Sequence, residues 1–198
     1  MKKLIILSAL FVAGLQTAFS QMGALKGSGI VVTKPFDFKN FDSIDLKDLD
    51  GKTEVEAGKP FSIIIAVDDN LESLLLVNEK NSTLTIALNK NENNRQYVEN
   101  SHIKILITVP QLSKVLQTGN SNTFIKNVEN KNFLIKSSGN GNITVEGNAK
   151  NATVVSTGNG DLKVNASESF NARGSGNGDI QNIGKAKATS NSKKIGNG

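Results

Sequence analysis

His102 is the single histidine of a 198-residue chain that has no cysteine. A hydroxyl nucleophile needs a positioned base and there is no thiol, so nucleophilic catalysis would have to run through that one imidazole. His102 opens a β-branched run just after a polar stretch, which reads as a strand edge rather than a catalytic centre. Asp161 and Asp179 are the next candidates, because they occupy equivalent places in two copies of one motif. Some β-rich glycan enzymes line a face with carboxylates, so a polysaccharide lyase or hydrolase is the enzyme alternative. Carboxylates one repeat apart would stand about one strand spacing from each other, roughly 4.8 Å, closer than the usual catalytic pairs. Asn142 holds the same place one repeat earlier, which points to turn chemistry. A weak calcium site at these aspartates is disfavoured too, since calcium-binding β-rolls repeat as nonapeptides and the period here is twice as long. No Gly-Lys-Ser/Thr follows the glycines, so they do not form phosphate loops. The sequence predicts no catalytic residue, no metal site and no cofactor.

The elements that carry these residues are set by a repeat. It reads Thr118-Gly119-Asn120-Ser121-Asn122, Ser138-Gly139-Asn140-Gly141-Asn142, Thr157-Gly158-Asn159-Gly160-Asp161, Ser175-Gly176-Asn177-Gly178-Asp179 and Gly196-Asn197-Gly198. The leading glycines lie 20, 19, 18 and 20 residues apart, the range of a solenoid repeat. Glycine reaches positive φ without a Cβ clash and asparagine tolerates the left-handed region, so Gly119, Gly139, Gly141, Gly158, Gly160, Gly176 and Gly178 are assigned to structural corners. Stacked corners would place Asn120, Asn140, Asn159, Asn177 and Asn197 above one another as an amide ladder. Asn140, Asn159 and Asn177 are then candidate ligand contacts along a polar stripe, and the competing reading is a corner that satisfies its own backbone.

Around each motif apolar residues alternate with period two, the mark of half-buried strands. Phe133, Ile135 and Ser137 are followed 18 or 19 residues later by Ala152, Val154 and Ser156, and again by Phe170, Ala172 and Gly174. After the corners come Ile143 and Val145, Leu162 and Val164, then Ile180. Stacking such units buries what one cannot bury alone. The expected fold is all-β, a single right-handed parallel β-helix with coils of about 18–21 residues, the hand following the usual preference of parallel crossovers.

Met1-Lys2-Lys3, an apolar run from Leu4 to Ala18 and the small residues up to Ser20 predict a secretory signal peptide over residues 1–20, cleaved after Ser20. The run is too short for a comfortable membrane span, and no other stretch would cross a bilayer. Removing it takes the basic count from 23 to 21 against 18 acids, a net charge near +3. Arginine occurs only at Arg95 and Arg173, so nucleic-acid binding has little support. Without cysteine, an exported chain must rely on burial and ladder hydrogen bonds. Nine Phe, one Tyr and no Trp fit a narrow aliphatic core.

Residues 21–35 form a lead-in and 36–198 the head domain. Strands are expected at Ile30–Thr33, Phe41–Leu46, Lys52–Glu56, Phe61–Val67, Thr83–Leu88 and Ile103–Val109. Ile44, Ile64, Leu84, Ile105 and Ile125 fall 20 or 21 residues apart, which extends the coil length into the N-terminal half. Asp68 to Leu74 reads as a single helical turn or a bent connection. Asn89 to Ser101 is the longest polar insertion, and Asn91, Asn93, Asn94, Arg95 and Tyr97 are the ligand contacts expected of a protruding loop.

The order Phe38-Lys39-Asn40-Phe41-Asp42-Ser43-Ile44, Gly58-Lys59-Pro60-Phe61-Ser62-Ile63, Asp68-Asp69-Asn70-Leu71, Thr83-Leu84-Thr85-Ile86 and Val109-Pro110-Gln111-Leu112, followed by Gly-Asn-Gly corners, resembles the putative auto-transporter adhesin, head GIN domain family over nearly the whole mature chain. The resemblance implies a β-helical domain exported by Gram-negative bacteria and brings no catalytic residues. Here the usual Gly-Ser-Gly corners mostly read Gly-Asn-Gly, and Ala172, Ala186 and Ala188 stand where larger residues are expected.

The functional expectation is an exported, non-enzymatic binding or adhesin-like module in the periplasm, on the outer-membrane surface or secreted, with a glycan or cell-envelope protein as partner. A third reading is structural. An uncovered C-terminal edge would template self-association unless Lys185, Lys187, Lys193 and Lys194 deter it.

Overall fold

The computed structural model describes residues 25–89, 98–187 and 193–195, with backbone alone at 99 and 193–195. The predicted signal peptide, the loop residues Asn91, Asn93, Asn94, Arg95 and Tyr97, and Ala188, Gly196, Asn197 and Gly198 lie outside the described residues. The strands are β1 (Leu25–Lys26), β2 (Val31–Phe36), β3 (Ser43–Leu49), β4 (Lys52–Ala57), β5 (Ser62–Asp68), β6 (Leu75–Lys80), β7 (Thr83–Leu88) and β8 (Val98–Glu99). They continue as β9 (Lys104–Val109), β10 (Lys114–Gly119), β11 (Asn122–Gly139), β12 (Ile143–Ser156), β13 (Leu162–Val164), β14 (Ala166–Ser175), β15 (Ile180–Asn182) and β16 (Lys193–Ile195). One 3₁₀ segment, Asp69–Leu74, joins β5 to β6. Among the described residues no helix is long and apolar enough to cross a membrane.

From β10 onward the chain lies parallel on itself. Strand β11 is 18 residues long; its first part pairs with β4, its second with β10, and β12 runs along both. Strands β13 and β14 repeat this on β12. The alternating apolar residues therefore form inward columns. Phe133, Ala152 and Phe170 make one, Ile135, Val154 and Ala172 the next, and Ile143, Leu162 and Ile180 a third. Apart from the half-buried Ile180, all are buried, and they belong to one continuous core with Ile44, Leu84 and Ile105.

The N-terminal half overturns the expectation of a single right-handed parallel β-helix. Strand β2 pairs antiparallel with β5, β5 antiparallel with β9, and β6 antiparallel with β7. The 14-stranded sheet is thus mixed, and it curls into a half-barrel in the order β2-β5-β9-β4-β11-β10-β3-β7-β6. The reversal between β6 and β7 is made by Asn81 and Ser82, whose φ values of 50° and 57° are those of a two-residue primed hairpin turn. Pro35, which has no N–H to donate, sits in β2 at the sheet's edge. The spacing of Ile44, Ile64, Leu84 and Ile105 does not report one column. Ile44 pairs with Leu84 across parallel strands, while Ile64 lies in antiparallel β5 and faces outward, 38% exposed. A strand plus a hairpin arm has the length of one turn of the parallel stack, so residue spacing alone does not separate them.

Candidate functional site

The corners come first because they fix which side chains reach the surface. Gly119 and Gly139 are Cα partners at the ends of β10 and β11. At Gly139 φ is 145°, and a Cβ there would fall on the carbonyl oxygen of Gly119. That oxygen accepts the Asn140 N–H at 3.1 Å. The overlap recurs at Gly158 and Gly176, each against the glycine before it, and in a second column at Gly141, Gly160 and Gly178 headed by Ser121. Any side chain would push the stacked backbones apart, so glycine follows from the ladder and not from turn preference alone.

Two polar ladders run outside the glycines. In the first, Asn140 Nδ2 donates to Asn120 Oδ1 at 3.1 Å, Asn159 Nδ2 donates to Asn140 Oδ1 at 3.0 Å, and the Asn177 N–H donates to Asn159 Oδ1 at 3.2 Å. In the second, the N–H groups of Asn142, Asp161 and Asp179 donate to the side-chain oxygens of Asn122, Asn142 and Asp161 at 3.1, 2.7 and 2.8 Å. Asn140, Asn159 and Asn177 are thus brought into one exposed column. Each side-chain bond is worth about 1 kcal/mol at most when solvent competes. Asn159→Ala removes the donor to Asn140 and the acceptor for Asn177, and is expected to lower the melting temperature by about 2–4 °C, measurable by circular dichroism. Among the described residues no group of three His, Cys, Asp or Glu side chains could hold a metal ion.

His102 has a structural partner that the sequence did not flag. Asp68, at the end of β5, is fully covered, a costly place for a carboxylate unless donors surround it. Oδ2 accepts the His102 N–H at 2.6 Å, and Oδ1 accepts the Gly29 N–H at 2.8 Å with His102 Nδ1 at 3.1 Å. Around it Asn70 Nδ2 donates to the Lys26 carbonyl at 2.8 Å, the Ser28 N–H to Asn70 Oδ1 at 3.1 Å, and the Asp69 N–H to the Ile30 carbonyl at 2.8 Å. This clasp ties the lead-in strand β2 to β5. Burial pushes the Asp68 carboxyl up, but the two backbone donors and the His102 ring outweigh it and hold the group below its ordinary value. A carboxylate depressed in the fold contributes stability that is present above its unfolded pKa and lost as pH falls through the folded one. The clasp is expected to loosen only below about pH 4, with protease cutting between Lys26 and Lys34 as the readout.

Two outward sheet faces flank the corner. On one, Ile64, Leu106, Glu54, Phe124 and Thr144 stand in a row across β5, β9, β4, β11 and β12. Lys126 Nζ lies 5.0 Å from the Phe124 ring centroid, and Lys104 pairs with Glu54 at 3.4 Å, so charges are mixed. A shallow depression of about 440 Å³ opens there beside Lys52, Asn122, Phe124 and Asn142. On the other face Leu116, Lys136, Val155 and Arg173 stand in a row across β10, β11, β12 and β14. Beside it lies a depression of about 420 Å³ lined by Ser43, Ser113, Asn132, Leu134, Asn151 and Thr153. The far edge of β15 meets no strand among the described residues.

Similarity to known proteins follows this geometry. A putative adhesin from Bacteroides fragilis has a solved structure that superposes with a TM-score of 0.54 at 22% identity, covering 87% of this chain and 98% of that one. A protein described as a putative lipid binding protein from Parabacteroides distasonis aligns at 16% identity and a TM-score of 0.48, covering 89% of this chain and 98% of its own. No curated protein matches the sequence. The family model described as putative auto-transporter adhesin, head GIN domain, matches residues 40–180. With that match spanning most of the sequence, the chain belongs to the putative auto-transporter adhesin, head GIN domain family.

Proposed function

We propose that the chain is an exported, non-enzymatic, adhesin-like binding module of the Gram-negative cell envelope, whose partner is a glycan or an envelope component. The observation that carries this reading is the use made of the polar groups. Asp161 and Asp68 accept backbone N–H bonds that hold the fold, whereas the two outward faces present rows of mixed polar, charged and apolar side chains across several strands. A ligand met on such faces is extended rather than enclosed, because the depressions are shallow and span several strands. Export is supported by the lysine-led apolar N-terminus and by the adhesin family.

The test is a panel of neutral and acidic glycans offered to the purified protein, with binding and release of reducing ends followed together. Saturable binding without new reducing ends is expected. Turnover of any member of the panel would replace this reading with a carbohydrate-active enzyme. Protease shaving of intact cells separates the outer surface, where the protein is expected to be cut, from the periplasm, where it would be spared.

A further inference from the structure

The geometry points to the outward face of β10, β11, β12 and β14 as the binding surface for an extended acidic polysaccharide, one that carries a carboxylate on every second sugar. This rests on the adhesin-like reading and names the ligand class of one of its two faces. The first observation is charge. The outward positions beside the corner are Lys114, Leu116 and Thr118 on β10, Leu134, Lys136 and Ser138 on β11, Thr153 and Val155 on β12, and Asn171, Arg173 and Ser175 on β14, with no carboxylate among them. Carboxylates begin on the neighbouring β3, where Asp45 follows Leu116 in the row and pairs with Lys47 at 3.3 Å, and Asp48 Oδ1 accepts from Thr118 Oγ1 at 3.0 Å. Lys114, Lys136 and Arg173 make no ion pair with another described residue. On the opposite face Lys104 pairs with Glu54 and Lys59 with Glu56.

The second observation is spacing. Lys136 pairs with Val155 and Val155 with Arg173, so the two cations stand two strand spacings apart, about 10 Å. One pyranose unit adds close to one strand spacing to an extended chain. Across β10, β11, β12 and β14 a polymer lying over the strands would therefore meet one sugar per strand and one cation per disaccharide, and at β16 the Cα partner of Arg173 is a further cationic residue, Lys193. The third observation is lining. The neighbouring depression offers hydroxyls and amides from Ser43, Ser113, Asn132, Asn151 and Thr153 around Leu134, which suits sugar hydroxyls and one apolar sugar face. None of the outward positions named on this face is aromatic, so it lacks the stacking platform that single-stranded nucleic acid requires.

The experiment is titration calorimetry of the purified protein with an alternating uronate–hexosamine polysaccharide, its carboxyl-reduced derivative and a neutral glucan. The uronate polymer is expected to bind and to weaken as salt rises, and the carboxyl-reduced polymer to bind about tenfold more weakly or worse. Lys136→Gln with Arg173→Gln should cost about tenfold or more, while Lys163→Gln, exposed on the opposite face, should leave binding unchanged. Thermal melts of both variants establish that they fold. Equal binding of the carboxyl-reduced polymer, or an unchanged affinity in the double variant, overturns the assignment. So does failure of the uronate polymer to bind, and if the neutral glucan binds in its place the adhesin-like reading stands while this one falls. Retention on anionic phospholipid vesicles without polysaccharide binding would assign the face to a membrane surface and likewise overturn it.

Discussion

Gly139→Ala is expected to destabilise the protein by about 3–5 kcal/mol and to lower its melting temperature by roughly 6–15 °C. Two effects combine at that position. The φ of 145° is one that side chains rarely adopt, and the added Cβ would overlap the Gly119 carbonyl, which is backbone and cannot swing aside. The Gly119 oxygen is also the acceptor for Asn140, so moving it breaks a ladder bond as well. Gly29→Ala separates the two contributions. Its φ is 83°, but nothing lies within 4 Å of the added atom. That variant carries conformational strain alone and should cost about 1–2 kcal/mol. If both variants melted together, the corner glycines would be explained by backbone conformation and the stacked carbonyls would be irrelevant to them.

Asp68→Ala is expected to cost about 3 kcal/mol or more in urea unfolding, because two backbone donors lose a charged acceptor in a covered site. His102→Ala leaves its own N–H bond to Asp68 in place and removes only the ring, which is largely exposed, so about 1 kcal/mol or less is expected. The two variants should differ in where they fail. Loss of Asp68 frees the Gly29 N–H and detaches the Leu25–Phe36 segment from β5, so this segment should become the first site of proteolysis while the parallel stack stays protected. The acid sensitivity below about pH 4 should disappear with the carboxylate. A His102→Ala variant as unstable as Asp68→Ala would assign the clasp to the imidazole instead.

The parallel stack was legible in the sequence because each turn of chain has nearly the same length. Residues 18 or 19 apart, such as Phe133, Ala152 and Phe170, become Cα partners, and the alternation then decides which neighbours, Leu134 and Lys136 among them, face out. Strand direction was not legible in the N-terminal half. Alternation has period two whether a strand runs parallel or antiparallel, so Ile64 looked like a member of the inward series although it faces solvent. The local signal for reversal is small, two polar residues at Asn81 and Ser82, and β6 is a six-residue strand between the 3₁₀ segment and that turn whose sequence ends in polar Asn78-Glu79-Lys80. Asp68 was hidden for another reason. Its donors come from Gly29 and His102, 39 and 34 residues away, and nothing in the sequence near position 68 announces that they converge.

The in-register parallel stacking of successive turns is what sets the corner columns, the ladders and the cation spacing together, and the absence of cysteine makes it directly measurable with spin labels. Nitroxides attached at Lys136→Cys and Val155→Cys sit on Cα partners about 4.8 Å apart, and those at Lys136→Cys and Arg173→Cys about 10 Å apart. Strong dipolar broadening for the first pair, weaker broadening for the second and none for either single label is the expected result. A first pair no broader than the sum of its single labels would contradict the stacking, and with it the faces on which the binding surfaces are placed.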